Sequence, residues 1–351
     1  MLLSDVVKRL RLLAPLQFCE KWDNVGMLVE SSAEKPVDRV LLTNDLTADV
    51  LNEAVQNCCQ LIVSYHPFIF KPITKLRRSN WKERLILDCI QSDISVYSPH
   101  TSWDAVSWMN NLNIIKSSLG KPEMKIGELL PSLASLYPPS FEAKGMLYVN
   151  TFVGESFNQN LPTLYETISK TTGDEFAMAR NGPEQDSVEV LSNYNIAKDL
   201  PMKPSSVKDF GVKFSHAFGC GLKLELSASK LRETDIIANI KHFLDLRYVR
   251  YSPGDKRSSE SVVTSIAVCA GSGGSVLRDV FGTVDLVVTG EMSHHEVLDA
   301  KFNGTSVILT EHSNSERKFL TEFKSTVENI KLLPNCELLI SELDKDPLDV
   351  Y

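Results

Sequence analysis

Short apolar runs that end beside a histidine or a carboxylate recur along this chain and predict buried β-strands. Continuous apolar runs bounded by turn residues are typical of parallel strands that helices cover on both faces. In such sheets, ligands bind in the crevice beyond the carboxyl ends of the strands. The runs lie at residues 61–64, 94–97, 286–289 and 307–310. Five of the seven histidines follow them, and we expect these side chains to meet in one crevice: His66, His100, His294, His295 and His312.

The two ends of the chain repeat the same order of predicted elements. In the first, a strand at 40–45 and a helix precede the strand that leads to His66. In the second, a strand at 266–270 and a helix precede the strand at 286–289. Each end then adds a further strand, a histidine and a carboxylate four positions on. Matching β-α-β units predict a duplicated architecture.

The middle of the chain has a different character. Residues 142–217 combine a strand at 146–152, a helix at 161–171 and polar loops, which predicts an inserted α+β (ferredoxin-like) subdomain. The predicted fold is therefore α/β, with one half at 1–141 and a similar half at 218–351.

A histidine and a carboxylate four residues apart follow two of the predicted strands. The pairs are His100 with Asp104 and His312 with Glu316. On a helix, residues at this spacing lie on one face, so both groups can approach one metal ion. A single pair of this kind is more often a helix start with an exposed ion pair. Two pairs after buried strands, with His66 at a third strand end, favour a metal site between the two halves.

The predicted metal ligands are three imidazoles and two carboxylates: His66, His100, Asp104, His312 and Glu316. This set exceeds what one tetrahedral zinc ion takes, so we expect one or two ions, two being bridged by the carboxylates. Mixed nitrogen and oxygen ligands suit zinc, manganese, iron, cobalt or nickel, and the sequence does not choose among them.

Two further features leave alternatives open. The glycine-rich segment at 270–275 follows a strand and opens a helix, which predicts either a backbone nest for a phosphate or a tight turn. His294 and His295 either serve the site from outside the metal ligands or cap the helix that follows them.

Composition excludes several classes of function. A net charge of −8 over 351 residues argues against direct nucleic-acid binding, because phosphate contacts need a basic face. The seven cysteines form no C-x-x-C pair, which argues against a thiolate zinc site and favours reduced thiols in the cytoplasm or nucleus. The N-terminus predicts a helix at 3–13 and not a signal peptide, and no apolar stretch has the length of a membrane span.

Five segments spread over both halves form a specific set of motifs, at 22–26, 64–67, 99–104, 289–295 and 312–316. Together they resemble the NGG-one-interacting-factor-three-like family, often labelled as type-two GTP cyclohydrolase I. The resemblance implies two similar halves that face each other across a dinuclear metal site, and an additional α+β domain inserted between them in longer members. It implies dimers or toroidal hexamers. It also implies that the ligands are the five residues predicted above, and that His295, the candidate catalytic residue, lies close to the site.

The chain departs from the family pattern at one position. Bacterial members have two consecutive histidines where this chain has Tyr65 and His66. Tyrosine is a poor ligand while it is protonated, and its ordinary pKa is about 10. The departure therefore predicts that one of the two metal positions is weak or empty. Animal members resemble this chain in having tyrosine there, and are described as transcriptional co-regulators that move between cytoplasm and nucleus.

Three functions follow as hypotheses. The first is a metal-dependent hydrolase (GTP cyclohydrolase-like) that acts on a nucleotide-like or phosphorylated substrate, with His295 as a proton carrier. The second is a non-catalytic transcriptional co-regulator or adaptor whose metal site is structural or vestigial. The third is metal storage or delivery. In each case we expect a homodimer or higher homo-oligomer, a transcription-regulator protein as partner, no membrane contact, and a cytoplasmic and nuclear location.

Overall fold

The computed structural model describes residues 1–106, 110–121, 133–137, 148–153, 161–172, 176–180, 187–192, 206–209, 220–226, 230–329 and 331–350. Within these residues, the strands form three sheets of five, six and four strands. The strands are β1 Gly26–Val29, β2 Arg39–Thr43, β3 Leu61–Ser64, β4 Ser95–Ser98, β5 Leu133–Tyr137, β6 Tyr148–Val153, β7 Phe176–Arg180, β8 Ser187–Ser192, β9 Ser206–Asp209, β10 Cys220–Glu225, β11 Arg250–Ser252, β12 Ser265–Ser272, β13 Leu286–Glu291, β14 Ser306–Leu309 and β15 Glu337–Ile340.

The helices between these strands are mostly short, and polar side chains cap the N-termini of some of them. Asn80 accepts hydrogen bonds from the first-turn N–H groups of the helix that starts at Trp81. The α-helices are α1 Leu3–Leu13, α2 Ala48–Gln56, α3 Trp81–Gln91, α4 Thr101–Asp104, α5 Asn110–Ser118, α6 Leu161–Thr172, α7 Glu233–Leu244, α8 Gly274–Leu277, α9 His294–Phe302, α10 Asn314–Arg317 and α11 Phe319–Asn329, with 3-10 turns at Leu16–Phe18 and Arg278–Val280.

The first sheet has the strand order β1-β4-β3-β2-β15. Strands β4, β3, β2 and β15 run parallel, and β1 runs antiparallel to β4 at the edge. Every residue of β3 and of β4 is buried, as expected for parallel strands covered on both faces. The carboxyl ends of these four neighbouring strands therefore lie along one edge of this sheet.

The second sheet repeats this arrangement. Its order is β11-β14-β13-β12-β10-β5, in which β14, β13 and β12 are parallel and β11 is antiparallel to β14. The run β1-β4-β3-β2 thus has the same directions and the same chain order as the run β11-β14-β13-β12. The predicted α/β fold with two similar halves is confirmed.

Two strands cross between the halves. Strand β5 pairs with β10 in the second sheet, and β15, near the end of the chain, pairs with β2 in the first. Each sheet therefore contains a strand from the far side of the insertion. The predicted boundaries after residues 141 and 217 lie outside the described residues and stay a prediction.

The third sheet lies in the predicted inserted segment and is antiparallel throughout. Its order is β7-β8-β6-β9, and α6 connects β6 to β7, which is the split β-α-β arrangement of a ferredoxin-like sheet. Leu164 and Ile168 of α6 are buried in the same apolar cluster as Leu3 and Val6 of α1. The N-terminal helix thus packs against the inserted layer.

Candidate metal centre

Three potential metal ligands from the two halves of the molecule meet between the sheets. His66 follows β3, His312 follows β14, and Glu316 lies in α10. The ligand atoms of these three residues lie within 4.8 Å of one another. His66 Nε2 is 3.1 Å from Glu316 Oε2, and His312 Nε2 is 3.4 Å from Glu316 Oε1. The two Nε2 atoms are 3.3 Å apart. This group can hold a metal ion.

Each imidazole of this group is oriented by a carboxylate behind it. His66 Nδ1 is 3.0 Å from Asp45 Oδ1, and His312 Nδ1 is 2.8 Å from Glu291 Oε1. A carboxylate at this position accepts the Nδ1 proton and turns Nε2 inward, where it can bind a metal ion once its own proton is displaced. Outer partners of this kind commonly fix the ring orientation of metal-binding histidines. Asp45 and Glu291 come from the strands next to those that carry the histidines.

His100 has the same kind of partner but stands further from the centre. Its Nδ1 is 2.7 Å from Oδ1 of Asp23, whose side chain is fully buried. Its ring centroid is 5.4 Å from that of His66. The backbone of His100 has φ 37°, a region that non-glycine residues rarely adopt, so the packing around it holds a strained conformation. The structure places His100 beside the three-residue group and not within it.

Asp104 is engaged by a tyrosine. The fully buried Tyr65 donates a hydrogen bond from its hydroxyl to Asp104 Oδ1. Burial, and next the charge of Glu316, raise the pKa of Asp104 to about 6. Burial and the charge of Asp104 raise the pKa of Tyr65 well above its ordinary value. Tyr65 therefore keeps its proton and acts as a hydrogen-bond donor. Its partner is Asp104, the carboxylate that the sequence predicts as a metal ligand.

The charge of Glu316 dominates the centre. Burial alone would raise the pKa of this carboxylate, but the charges of His66 and His312 hold it well below the ordinary value. Burial lowers the pKa of His66, yet Glu316 and Asp45 raise it to about 11. Burial also lowers the pKa of His312, but the hydrogen bond and the charge of Glu316 outweigh burial and raise this pKa to about 9. A buried carboxylate needs positive charge beside it, which protons or a cation can supply.

A glycine allows the backbone to approach this carboxylate. Gly271 has φ +66°, and a Cβ atom there would lie 2.4 Å from Glu316 Oε1 and 3.3 Å from His312 Nε2. Its N–H donates to Ser315 Oγ at 2.7 Å. A side chain at this position would occupy the space of the ligand atoms. The predicted choice between a phosphate nest and a tight turn for residues 270–275 stays open.

The centre opens into a cavity of about 760 Å³. Its lining combines the imidazole and carboxylate groups with two aromatic rings, small residues and thiols: Glu20, Trp22, His66, Pro67, Phe70, His100, Thr101, Asp104, Cys220, Cys269, Ala270, Gly271, Ser272, Ser275, Val276, His312 and Glu316. This volume lies in the range of about 300–1,000 Å³ that is usual for small-molecule sites. All five predicted ligands therefore line one cavity, although three of them form the compact group.

His295 lies apart from these groups. It is exposed in the first turn of α9, beside the exposed His294, and is not among the described residues that line the cavity. Ser293 caps this helix in a reciprocal arrangement with Glu296, which argues against the alternative that a histidine caps it. The catalytic role of His295 stays a prediction.

Three carboxylates that orient the histidines had no assigned role in the sequence reasoning: Asp23, Asp45 and Glu291. A signal for two of them was present, since Asp45 and Glu291 stand at strand ends just as the histidines do. Asp23 lies in the motif at 22–26, and only the fold shows that this loop reaches His100.

Two buried cysteines outside the cavity have thiols that are poorly suited to metal binding. Cys59 and Cys89 are buried free thiols, and burial raises their pKa values to about 11 and about 12. Such thiols stay protonated and are poor ligands. None of the described helices combines the length and the apolar composition that crossing a membrane requires.

Two facing α/β halves with a shared imidazole and carboxylate centre define a two-lobed α/β protein with a candidate metal site. The family model described as Duf34/NIF3 (NGG1p interacting factor 3) matches residues 1–347, and the chain belongs to this family. It is 35% identical to human NIF3-like protein 1 over 99% of this chain and 92% of that protein. It is 29% identical to NGG1-interacting factor 3 of Saccharomyces cerevisiae over 99% of this chain and 96% of that one.

Solved structures share the fold. A Bacillus cereus protein related to NIF3 aligns with a TM-score of 0.71 and 19% identity, over 100% of this chain and 99% of that chain. Reduced HcgD from Methanocaldococcus jannaschii aligns with a TM-score of 0.62 and 14% identity, over 98% of both chains. These similarities extend across both halves of the chain.

Proposed function

We propose that His66, His312 and Glu316 bind a divalent metal ion, and that the protein is a metal-dependent hydrolase acting on a nucleotide-like or phosphorylated substrate. The observation that carries this proposal is the convergence of two carboxylate-oriented imidazoles on one buried carboxylate at the wall of an open cavity. Structural zinc sites are closed, whereas catalytic sites keep a position open to substrate.

The donor set fits such an ion. Two imidazole nitrogens and a carboxylate suit zinc, manganese, iron, cobalt or nickel. When bound, a divalent ion supplies Lewis acidity and activates water. We expect any second ion, held by His100 and Asp104, to bind more weakly, because the Tyr65 hydroxyl already occupies Asp104 Oδ1.

The residues of the chain supply the rest of the chemistry. Asp45 and Glu291 hold the two imidazoles in place, and Glu316 fixes the charge at the centre. Asp104 lines the cavity and has a pKa of about 6, which suits a group that gives or takes a proton near neutral pH. His295, the predicted proton carrier, would have to act from the exposed first turn of α9.

Elemental analysis of purified protein tests the metal, and hydrolysis assays test the reaction. We expect the wild-type protein to retain a divalent ion and His66→Ala to lose it. His242→Ala is the control, because His242 is exposed on α7. A wild-type protein that stays metal-free in the presence of all five metals would contradict metal binding. Failure to hydrolyse any member of a broad panel of nucleotides and phosphoesters, with the ion present, would contradict the hydrolase.

A non-catalytic role with a protein partner is the second candidate, and the name of the yeast relative, an interacting factor, favours it. In this proposal the protein is a cytoplasmic and nuclear co-regulator, forms a homo-oligomer, and binds a transcription-regulator protein while the metal site is structural or vestigial. Partner capture by the Glu316→Gln variant separates the two proposals. Partner binding that survives the loss of metal shows that the partner does not depend on the ion.

A further inference from the structure

Two large aromatic side chains stand in solvent at the wall of the cavity that holds the candidate metal centre. Trp22 is 60% exposed and Phe70 is 44% exposed, and both line this cavity. Each aromatic side chain of this kind offers about 150–250 Å² of surface for burial. Exposed apolar surface in a concave site commonly marks ligand binding.

Polar contacts of neighbouring residues connect the segments that carry this aromatic pair. The ring centroids of Trp22 and Phe70 lie 5.8 Å apart with an interplanar angle of 56°. Asp23, next to Trp22, accepts hydrogen bonds from His100 Nδ1 and from the Thr101 N–H. Asn24 Nδ2 donates to the carbonyl oxygen of Ile69, the neighbour of Phe70, at 2.5 Å. These bonds tie together the chain segments that carry the two rings.

His100 connects the aromatic pair to the metal centre. Its ring centroid lies 6.0 Å from Trp22, 6.4 Å from Phe70 and 5.4 Å from His66. The rings meet edge-on, at angles of 74° and 81° for the two aromatic neighbours. A flat molecule lying against Trp22 or Phe70 would therefore extend its substituents past one imidazole to the candidate ligands.

We propose that Trp22 and Phe70 form a stacking wall for the flat aromatic ring of a small-molecule ligand whose oxygen-bearing substituent reaches the metal centre. This inference rests on the proposed function and adds the substrate class, a phosphorylated compound with an aromatic ring. The cavity lining also includes Ala270, Gly271 and Ser272, whose small size leaves room for a flat ring. Stacking accepts many rings, since each has a π-face.

Calorimetry on ion-loaded protein tests the wall with GMP, UMP and ribose 5-phosphate, which share a sugar and a phosphate and differ in the ring. We expect both nucleotides to bind at least about tenfold tighter than ribose 5-phosphate, within the range for one base on an aromatic side chain. Trp22→Leu and Phe70→Leu should each remove most of this difference and leave ribose 5-phosphate binding unchanged. Trp22→Phe, which keeps a ring, should retain it.

Trp81→Leu is the matched control, because Trp81 is 54% exposed at the start of α3 and is not among the described residues that line the cavity. This variant should bind all three probes as the wild type does. Tryptophan fluorescence gives an independent readout. GMP should quench the emission of the wild type and of Trp81→Phe, but not that of Trp22→Phe.

Equal affinity for the nucleotides and for ribose 5-phosphate, or no binding of either nucleotide, would overturn the stacking wall. So would a loss in Trp22→Leu that falls equally on all three probes. Metal content is measured on the same samples, so that a protein without an ion can be distinguished from a protein whose aromatic pair does not bind the ring. If the wild type holds no ion, quenching of Trp22 by GMP would still support the wall, and its absence would overturn the wall as well.

Discussion

The two halves carry the same motif at matching strand ends, yet the motif has different chemistry in each. After β14, His312 is followed by Glu316, which contacts two imidazoles and has a pKa held well below its ordinary value. After β4, His100 is followed by Asp104, which accepts a hydrogen bond from Tyr65 and has a pKa raised to about 6. The four-residue spacing from the histidine brings each carboxylate to the cavity. The neighbouring side chains then determine whether that carboxylate is ionised and free to bind a metal ion.

The largest expected difference between the halves concerns the two carboxylates themselves. Glu316→Gln should weaken metal binding by more than about 100-fold, because changes of outer partners alone give about 10–100-fold. Asp104→Asn should weaken it by less than about tenfold. Metal titration of both variants measures this. Equal losses would show that the two carboxylates are equivalent ligands.

Metal affinity should also depend strongly on pH, because the ion displaces protons. Without an ion, His66 with a pKa of about 11 and His312 with a pKa of about 9 are protonated at neutral pH. The affinity should therefore rise about tenfold per pH unit for each proton displaced, from about pH 6 to 9. Calorimetry in buffers of different ionisation enthalpy counts the protons.

The same pKa values fix the sign of the stability change in the ion-free protein. A raised histidine pKa stabilises the fold below its ordinary value of 6.5, and this contribution is lost as the pH rises through about 9 for His312 and about 11 for His66. Ion-free protein should thus lose stability in alkaline solution, as measured by urea unfolding. Two results would contradict protonated histidines in the ion-free centre. One is a metal affinity that does not change with pH, and the other is a stability that does not fall in alkaline solution.

The glycine behind Glu316 gives a smaller effect. Gly271→Ala should reduce metal affinity about tenfold, because its Cβ would displace Glu316 Oε1, 2.4 Å away. Gly282→Ala is the control: its φ of +78° is equally unfavourable for alanine, and the nearest atom to its Cβ is Asn303 O at 3.3 Å. Both variants should lose about 1–2 kcal/mol of unfolding free energy. Normal metal affinity in Gly271→Ala would contradict the close approach.

The smallest expected effect is a weak additional ion in the first half. Tyr65→His should provide Asp104 and His100 with another nitrogen donor and raise the metal content from one towards two ions per chain. Tyr65→Phe should keep one ion and lose about 1–3 kcal/mol of stability, since Asp104 loses its donor. Elemental analysis at increasing metal concentration compares the variants. Two tightly bound ions in the wild type would contradict the role assigned to Tyr65.

The strands and their ends could be predicted because burial on both faces leaves a continuous apolar run. The strands at Leu61–Ser64 and Ser306–Leu309, in which every residue is buried, are examples. The sheet that each strand joins could not be predicted in the same way. The pairing of β15 with β2, and of β5 with β10, depends on contacts between distant parts of the chain, and periodicity does not report these.

The site could be predicted to the level of which residues reach the cavity, since all five expected ligands line it. The sequence could not predict that His66, His312 and Glu316 form a compact group while His100 and Asp104 lie beside it. This division depends on hydrogen bonds between residues that are far apart in the sequence. The bond of Tyr65 to Asp104 and that of His100 to Asp23 are two such contacts. Residue spacing fixes neither partner.

Anomalous diffraction from crystals grown with zinc or manganese tests the central claim most directly. We predict one strong peak bonded to Nε2 of His66, Nε2 of His312 and a carboxylate oxygen of Glu316, at about 2.0–2.3 Å for zinc. A peak held by His100 and Asp104 alone, or no peak between the two halves, would contradict the account.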